Sequence, residues 1–114
     1  MNISGYRFGK IDIGGRTYTS DVIITPERVI DGWWRQQGHA LAVADLDHVV
    51  AAKPDVLVIG TGYLGRMSVS QETRQYLEAQ GIHVRDARTG EAVHDFNRLQ
   101  KEPGRVVAAL HLTC

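Results

Sequence analysis

Only one of the 114 residues is a cysteine, Cys114. A lone thiol excludes a disulfide within the chain and a cysteine-built metal site. It has no resolving thiol or neighbouring base in sequence, which argues against redox use. The chain also lacks an excess of either charge: 13 Lys and Arg balance 13 Asp and Glu. Without a basic surface to neutralise phosphates, nucleic acid is not an expected partner, and nothing draws the chain to anionic membranes. No apolar run approaches the ~20 residues that span a bilayer. Met1-Asn2-Ile3-Ser4-Gly5 shows no basic stretch leading into an apolar one, so no signal peptide is expected, and the cytoplasm is the expected location. What remains is ordinary globular composition, 43% hydrophobic and 23% charged, in a length that suits one domain over residues 1–114.

The three prolines act as punctuation. Before Pro26, Tyr6 to Ile13 and Arg16 to Thr25 read as two strands joined by Gly14-Gly15, residues suited to a tight hairpin turn. A two-residue loop would set Ile11 opposite Tyr18 and Arg7 opposite Val22. Ile11, Ile13, Tyr18 and Val22 then share one face, and Lys10, Asp12, Thr17, Thr19 and Asp21 the other. Tyr6 and Phe8 fall on the polar face, so a bulge is expected there. Arg28 to Trp34 reads as extended, and Val43 to Ala52 as a short helix behind a poor cap, Ala42, ended by Lys53-Pro54.

Val56 to Ile59 is apolar on both faces, as in a covered central strand. Ser70 is a good cap for a helix to Gln80, which Gly81 stops. Ile82 to Arg85 is a short strand. Thr89 is placed to cap a helix carrying Ala92, Val93, Phe96 and Leu99, ended by Pro103-Gly104, and Val106 to Leu112 is a last strand. Helices alternating with strands predict parallel pairing in this half.

Gly60-Thr61-Gly62-Tyr63-Leu64-Gly65 spells G-x-G-x-x-G after the apolar strand, and Asp86 lies ~20 residues further on. A dinucleotide loop, however, runs directly into a helix whose amides face the pyrophosphate. Here the cap, Ser70, comes five residues after Gly65, and Glu72 is charged where a core residue is needed. No cofactor is therefore expected. The plainer role of Gly60 and Gly62 is a sharp exit from a buried strand.

Pro54-Asp55-Val56-Leu57-Val58-Ile59-Gly60-Thr61-Gly62 resembles the central strand and turn of the Mth domain family. Tyr76 to Ile82, Thr89-Gly90-Glu91-Ala92 with Phe96-Asn97-Arg98-Leu99, Trp33-Trp34-Arg35 and Gly38-His39 extend the resemblance over nearly the whole chain. Relatives in that family include a mitochondrial complex I assembly factor and an adipogenesis-associated protein. The resemblance implies a three-layer α/β domain: a central mixed sheet, flanking helices and an N-terminal β-ribbon. It implies no established catalytic residue or cofactor. Ala42 departs from the capping serine common at that position.

The five histidines, His39, His48, His83, His94 and His111, show no zinc-ligand spacing, so no metal is expected. His94-Asp95 with Ser68 or Ser70 lacks a nucleophile elbow, and adjacent residues on a helix diverge. Asn97 shares the apolar stripe of its helix, so its amide needs partners. The Gly60-Thr61-Gly62 turn is one candidate partner, with Arg66 and Arg105 as nearby positive charge. The pair Trp33-Trp34, on an extended segment, points to opposite faces, one into the core and one outward.

Two functions follow. The first is a non-enzymatic interaction or assembly module with Trp33 and Trp34 as its protein contact. The second is a small-molecule or anion-binding domain, at most a weak enzyme, with a cleft formed by Gly60, Thr61, Gly62, Arg66, Thr89 and Asn97. No catalytic set is present in either reading.

Overall fold

The computed structural model describes residues 1–114. Three short strands form the N-terminal ribbon: β1 (Ile3–Arg7), β2 (Lys10–Ile13) and β3 (Arg16–Tyr18), all antiparallel. Gly14 and Gly15 both have positive φ, 57° and 82°, and the turn sets Ile11 opposite Tyr18 as expected. The first predicted strand, however, is two. Gly9 at φ 77° allows a reversal at Phe8-Gly9, so Arg7 faces Lys10 and not Val22. Tyr6 sits opposite Ile11 and packs on the core, and only Phe8, in the turn, stays exposed. The register shift falls between Ile3 and Gly5, earlier than expected.

Val22 leaves the ribbon because β4 (Val22–Ile24) is buried on both faces, which suits a sheet interior. It joins a five-stranded mixed sheet in the order β5 (Val29–Asp31), β4, β10 (Val106–His111), β7 (Val56–Thr61), β9 (His83–Ala87). β10, β7 and β9 are parallel, as the alternation predicts, and β4 and β5 run antiparallel.

Side chains alternate between two cores. Val58, Val106, Ala108 and Leu110 face the ribbon and helix α3 (Thr89–Leu99), where Phe96 and Ala92 complete the packing. Leu57, Ile59, Val107 and Ala109 face the opposite layer. That layer is built by a 3-10 turn at Val43–Leu46, helix α1 (Asp47–Ala51) and helix α2 (Gln71–Ala79). A two-strand pair, β6 (Ala40–Leu41) with β8 (Ser68–Val69), closes that side.

Local chemistry sets the helix ends. The Ser70 hydroxyl accepts the Thr73 amide at 3.1 Å, and Gly81 at φ 81° stops α2. Ala42 has no capping side chain, but the Asp45 carboxylate accepts its amide at 2.9 Å. Lys53 at φ 49° and Pro54 end α1.

Asn97 departs from its expected place. Its amide grips Ile3, Oδ1 accepting the Ile3 N–H at 3.0 Å and Nδ2 donating to the Ile3 carbonyl at 2.7 Å. It stands in for a neighbouring strand at the start of β1, far in sequence from the glycine turn. Asn97→Ala leaves two backbone groups of Ile3 without these partners. The expected loss is about 1–3 kcal/mol, measured by urea unfolding, with faster hydrogen exchange at the Ile3 amide. Unchanged exchange there would contradict this role.

Candidate functional site

The glycine turn is closed by its own neighbours. At Gly60 an added Cβ would lie 2.8 Å from the Thr89 hydroxyl and 2.9 Å from Leu110. Gly62, at φ 111°, is crossed so closely by residues 113 and 114 that a Cβ there would collide with the Cys114 carbonyl group. These glycines answer to close backbone approach and to positive φ. Thr61 Oγ1 donates to the Ala87 carbonyl at 3.0 Å. The Tyr63 and Arg66 amides donate to the Thr113 and Cys114 carbonyls at 2.7 and 3.0 Å.

Thr89 does not cap α3. It is the first helical residue, fully buried, and its hydroxyl accepts the Gly62 amide at 2.9 Å while donating to the His111 carbonyl at 2.5 Å. Its hydroxyl bridges the ends of β7 and β10, beside the point where the helices following β7 and β9 leave on opposite faces of the sheet. Sheets of this kind place ligands at such a switch point. Gly60, Thr61, Gly62 and Thr89 therefore lie together, with Gly62 and Thr89 bonded to each other, Gly60 packed against Thr89 and Thr61 bonded to Ala87. Arg66 is exposed beside them. Arg105 lies at the opposite end of β7, where it pairs with Glu27 at 3.0 Å and donates to the Ala52 carbonyl. Asp86 is taken by Arg74 at 2.6 Å. The six-residue glycine motif does not run into a helix, since α2 starts at Gln71.

The tryptophans divide between core and surface, which removes Trp33 from the expected protein contact. Trp33 is buried, and its indole N–H donates to the Asp45 carbonyl at 2.9 Å. Trp34 is 76% exposed. Next to it lies a feature that the sequence did not announce: a buried charged cluster of Asp21, Arg35 and His111.

Four of the five histidines are exposed, and His111 is the buried one. Its Nδ1 lies 2.8 Å from Asp21 Oδ2, and Arg35 Nη2 lies 2.8 Å from the same oxygen. Two donors sharing one carboxylate oxygen explain why Nη2 and Nδ1 approach to 2.9 Å. These partners assign the proton to Nδ1. The other carboxylate oxygen accepts the Leu112 amide at 2.8 Å. Arg35 also donates to the Gly38 carbonyl and stacks over the Trp33 ring, 4.7 Å from its centroid. Tyr6, from the ribbon, donates its hydroxyl to the Leu112 carbonyl at 2.8 Å, and burial pushes that phenol up to about 12.

Burial pushes the Asp21 carboxyl up. The hydrogen bonds from His111 and the Leu112 amide, the His111 charge and the bond from Arg35 together outweigh it and hold the group below the usual carboxylate range. One sequence signal pointed here: a histidine inside the apolar run Val106 to Leu112 must be buried, and a buried imidazole needs partners. No group of three or more His, Cys, Asp and Glu side chains is placed to hold a metal ion.

Fold and site define a three-layer α/β domain with a central mixed sheet and a buried ionic cluster at the end of its middle strand. The chain belongs to the family described as proteins of unknown function DUF498/DUF598, whose model matches residues 3–111. It is similar to a conserved hypothetical protein from Pyrococcus horikoshii, with 28% identity, TM-score 0.80 and full coverage of both chains. It is also similar to a protein from Bartonella henselae described as an outer membrane protein, at 25% identity and TM-score 0.82, over 98% of this chain and 94% of that one. A Mth938-like domain from Bordetella pertussis shares the fold at 23% identity and TM-score 0.80, over 97% and 85% of the two chains. The resemblance to the Mth domain family holds.

Because its folded pKa is depressed, Asp21 contributes stability that is present above its unfolded value, about pH 4, and is lost as pH falls through the lower folded value. Asp21→Asn should lower stability near pH 7 by about 3 kcal/mol, since it leaves buried Arg35 without its anion. The gap between variant and parent should shrink below about pH 4. A gap of the same size at about pH 2 would contradict this account.

Proposed function

We propose that this protein is a non-enzymatic interaction module, working in the cytoplasm, with Trp34 as its anchoring contact. The observation that carries the reading is the contrast along three consecutive residues. Trp33 and Arg35 are buried and bonded, while Trp34 between them is 76% exposed. A large aromatic held from both sides loses little conformational freedom on binding, and such residues dominate interface energetics. The engagement of the glycine turn by Thr89 and by residues 113 and 114 also supports this reading over a ligand cleft at Gly60, Thr61, Gly62, Arg66, Thr89 and Asn97. The Bartonella henselae relative, described as an outer membrane protein, points to a different compartment, so cell fractionation is the check on location.

Trp34→Ala removes a side chain with few internal contacts, so stability should change by no more than about 0.5 kcal/mol. Partners crosslinked to the parent protein in cells should be lost, with an affinity drop of about 2 kcal/mol or more once a partner is purified. Retention of every crosslinked partner by a folded Trp34→Ala variant would overturn the proposal.

A further inference from the structure

Both oxygens of the Asp21 carboxylate accept hydrogen bonds, but two nitrogens of its partners have none. Arg35 Nη1 and His111 Nε2 are buried without a hydrogen-bond partner. Their side chains are only 4% and 7% exposed. Buried polar groups are otherwise nearly always bonded, and an orphaned cationic nitrogen is the most costly kind to leave so.

The two orphans belong to groups that already touch. Arg35 Nη2 and His111 Nδ1 are 2.9 Å apart, and each orphan is the next nitrogen on the same guanidinium or ring. One small molecule is therefore within reach of both. The chemistry around them narrows its class. Asp21 and Arg35 balance each other, so the cluster is neutral while His111 is neutral, and carries one positive charge when Nε2 binds a proton. A monoanion restores neutrality. With Arg35 Nε and Nη2 already bonded to Gly38 and Asp21, one oxygen of a carboxylate accepts from Nη1–H and the other from Nε2–H. Tetrahedral dianions would leave excess negative charge in a buried site. The exposed His39 ring, edge-on to His111 with centroids 5.9 Å apart, is a side chain that solvent reaches next to the cluster.

We infer that Arg35 and His111 form a binding site for a small free carboxylate, with Asp21 as the positioning residue that fixes both. Asp21 holds the Nδ1 proton and so leaves Nε2 facing the ligand, as carboxylates do for histidines at functional sites. The site uses neither the Trp34 side chain nor the residues of the glycine turn as ligand contacts. It lies on the other side of the sheet from Tyr6, at the carboxyl end of the middle strand, where open α/β sheets place their ligands.

The test uses the full chain, labelled with 15N, titrated with sodium formate and separately with sodium chloride at matched ionic strength. Formate should shift the His111 Nε2 resonance and the Arg35 side-chain resonances saturably. Arg35→Lys, which keeps a cation beside Asp21 but removes Nη1, should weaken that response at least about tenfold. Arg66→Ala, an exposed arginine outside the cluster, should leave it unchanged. No saturable shift in the parent protein, or an equal response to chloride, overturns the inference. So does an undiminished response in a folded Arg35→Lys variant. If that variant does not fold, the parent titration decides alone.

Discussion

The structure depends on one carboxylate. Asp21 sits where the chain passes from the ribbon into the central sheet, and donors from two distant stretches converge on it. The Leu112 amide and the His111 ring come from the end of β10, and the Arg35 guanidinium comes from the segment after β5. The backbone of Asp21 joins in, its carbonyl accepting the Trp33 amide at 3.0 Å. A buried ion pair is a poor source of net stability, because desolvation offsets most of its attraction. Its contribution here is position: removing Asp21 or Arg35 leaves the other charged and unpaired in a largely buried place, so few alternative arrangements compete.

That position has consequences on both faces. On one, Leu112 passes the constraint to the ribbon, since its carbonyl accepts both the Tyr6 hydroxyl and the Gly9 amide. On the other, Arg35 and the bonded indole of Trp33 hold the connection that leads to β6, and Trp34 is left standing out of it. The glycine turn at the neighbouring strand end plays a different part. Thr89 and residues 113 and 114 pack into the space its glycines open, which ties α3 to the ends of β7 and β10.

Much of the frame was legible in the sequence because it is written locally. Ser70 and Gly81 mark α2 through capping chemistry, Gly14-Gly15 sets a register, and the two-sided apolar strand at Val56 to Ile59 announces a central position. The errors also have local causes. Gly9 carries a reversal that a lone glycine in an alternating run does not announce. Thr89 looks like a cap, but its hydroxyl finds stronger partners inward, and Asn97 finds a strand edge where a turn was expected. The charged cluster was illegible for another reason. Asp21, Arg35 and His111 are 14 and 76 residues apart, each in an ordinary context, and only the topology makes them neighbours. The histidine in an apolar strand was the one residue whose chemistry by itself demanded a partner.

The central claim is that the Asp21 cluster, and not general packing, fixes the segment that carries Trp34. Its most direct test is the 15N heteronuclear Overhauser effect of the Trp34 indole, resolved from that of Trp33, in the parent protein and in Asp21→Asn under conditions where both are folded. The account predicts a rigid Trp34 indole in the parent and a mobile one in the variant, with the backbone of β7 and β10 unchanged. Equal indole order in the two proteins would contradict it.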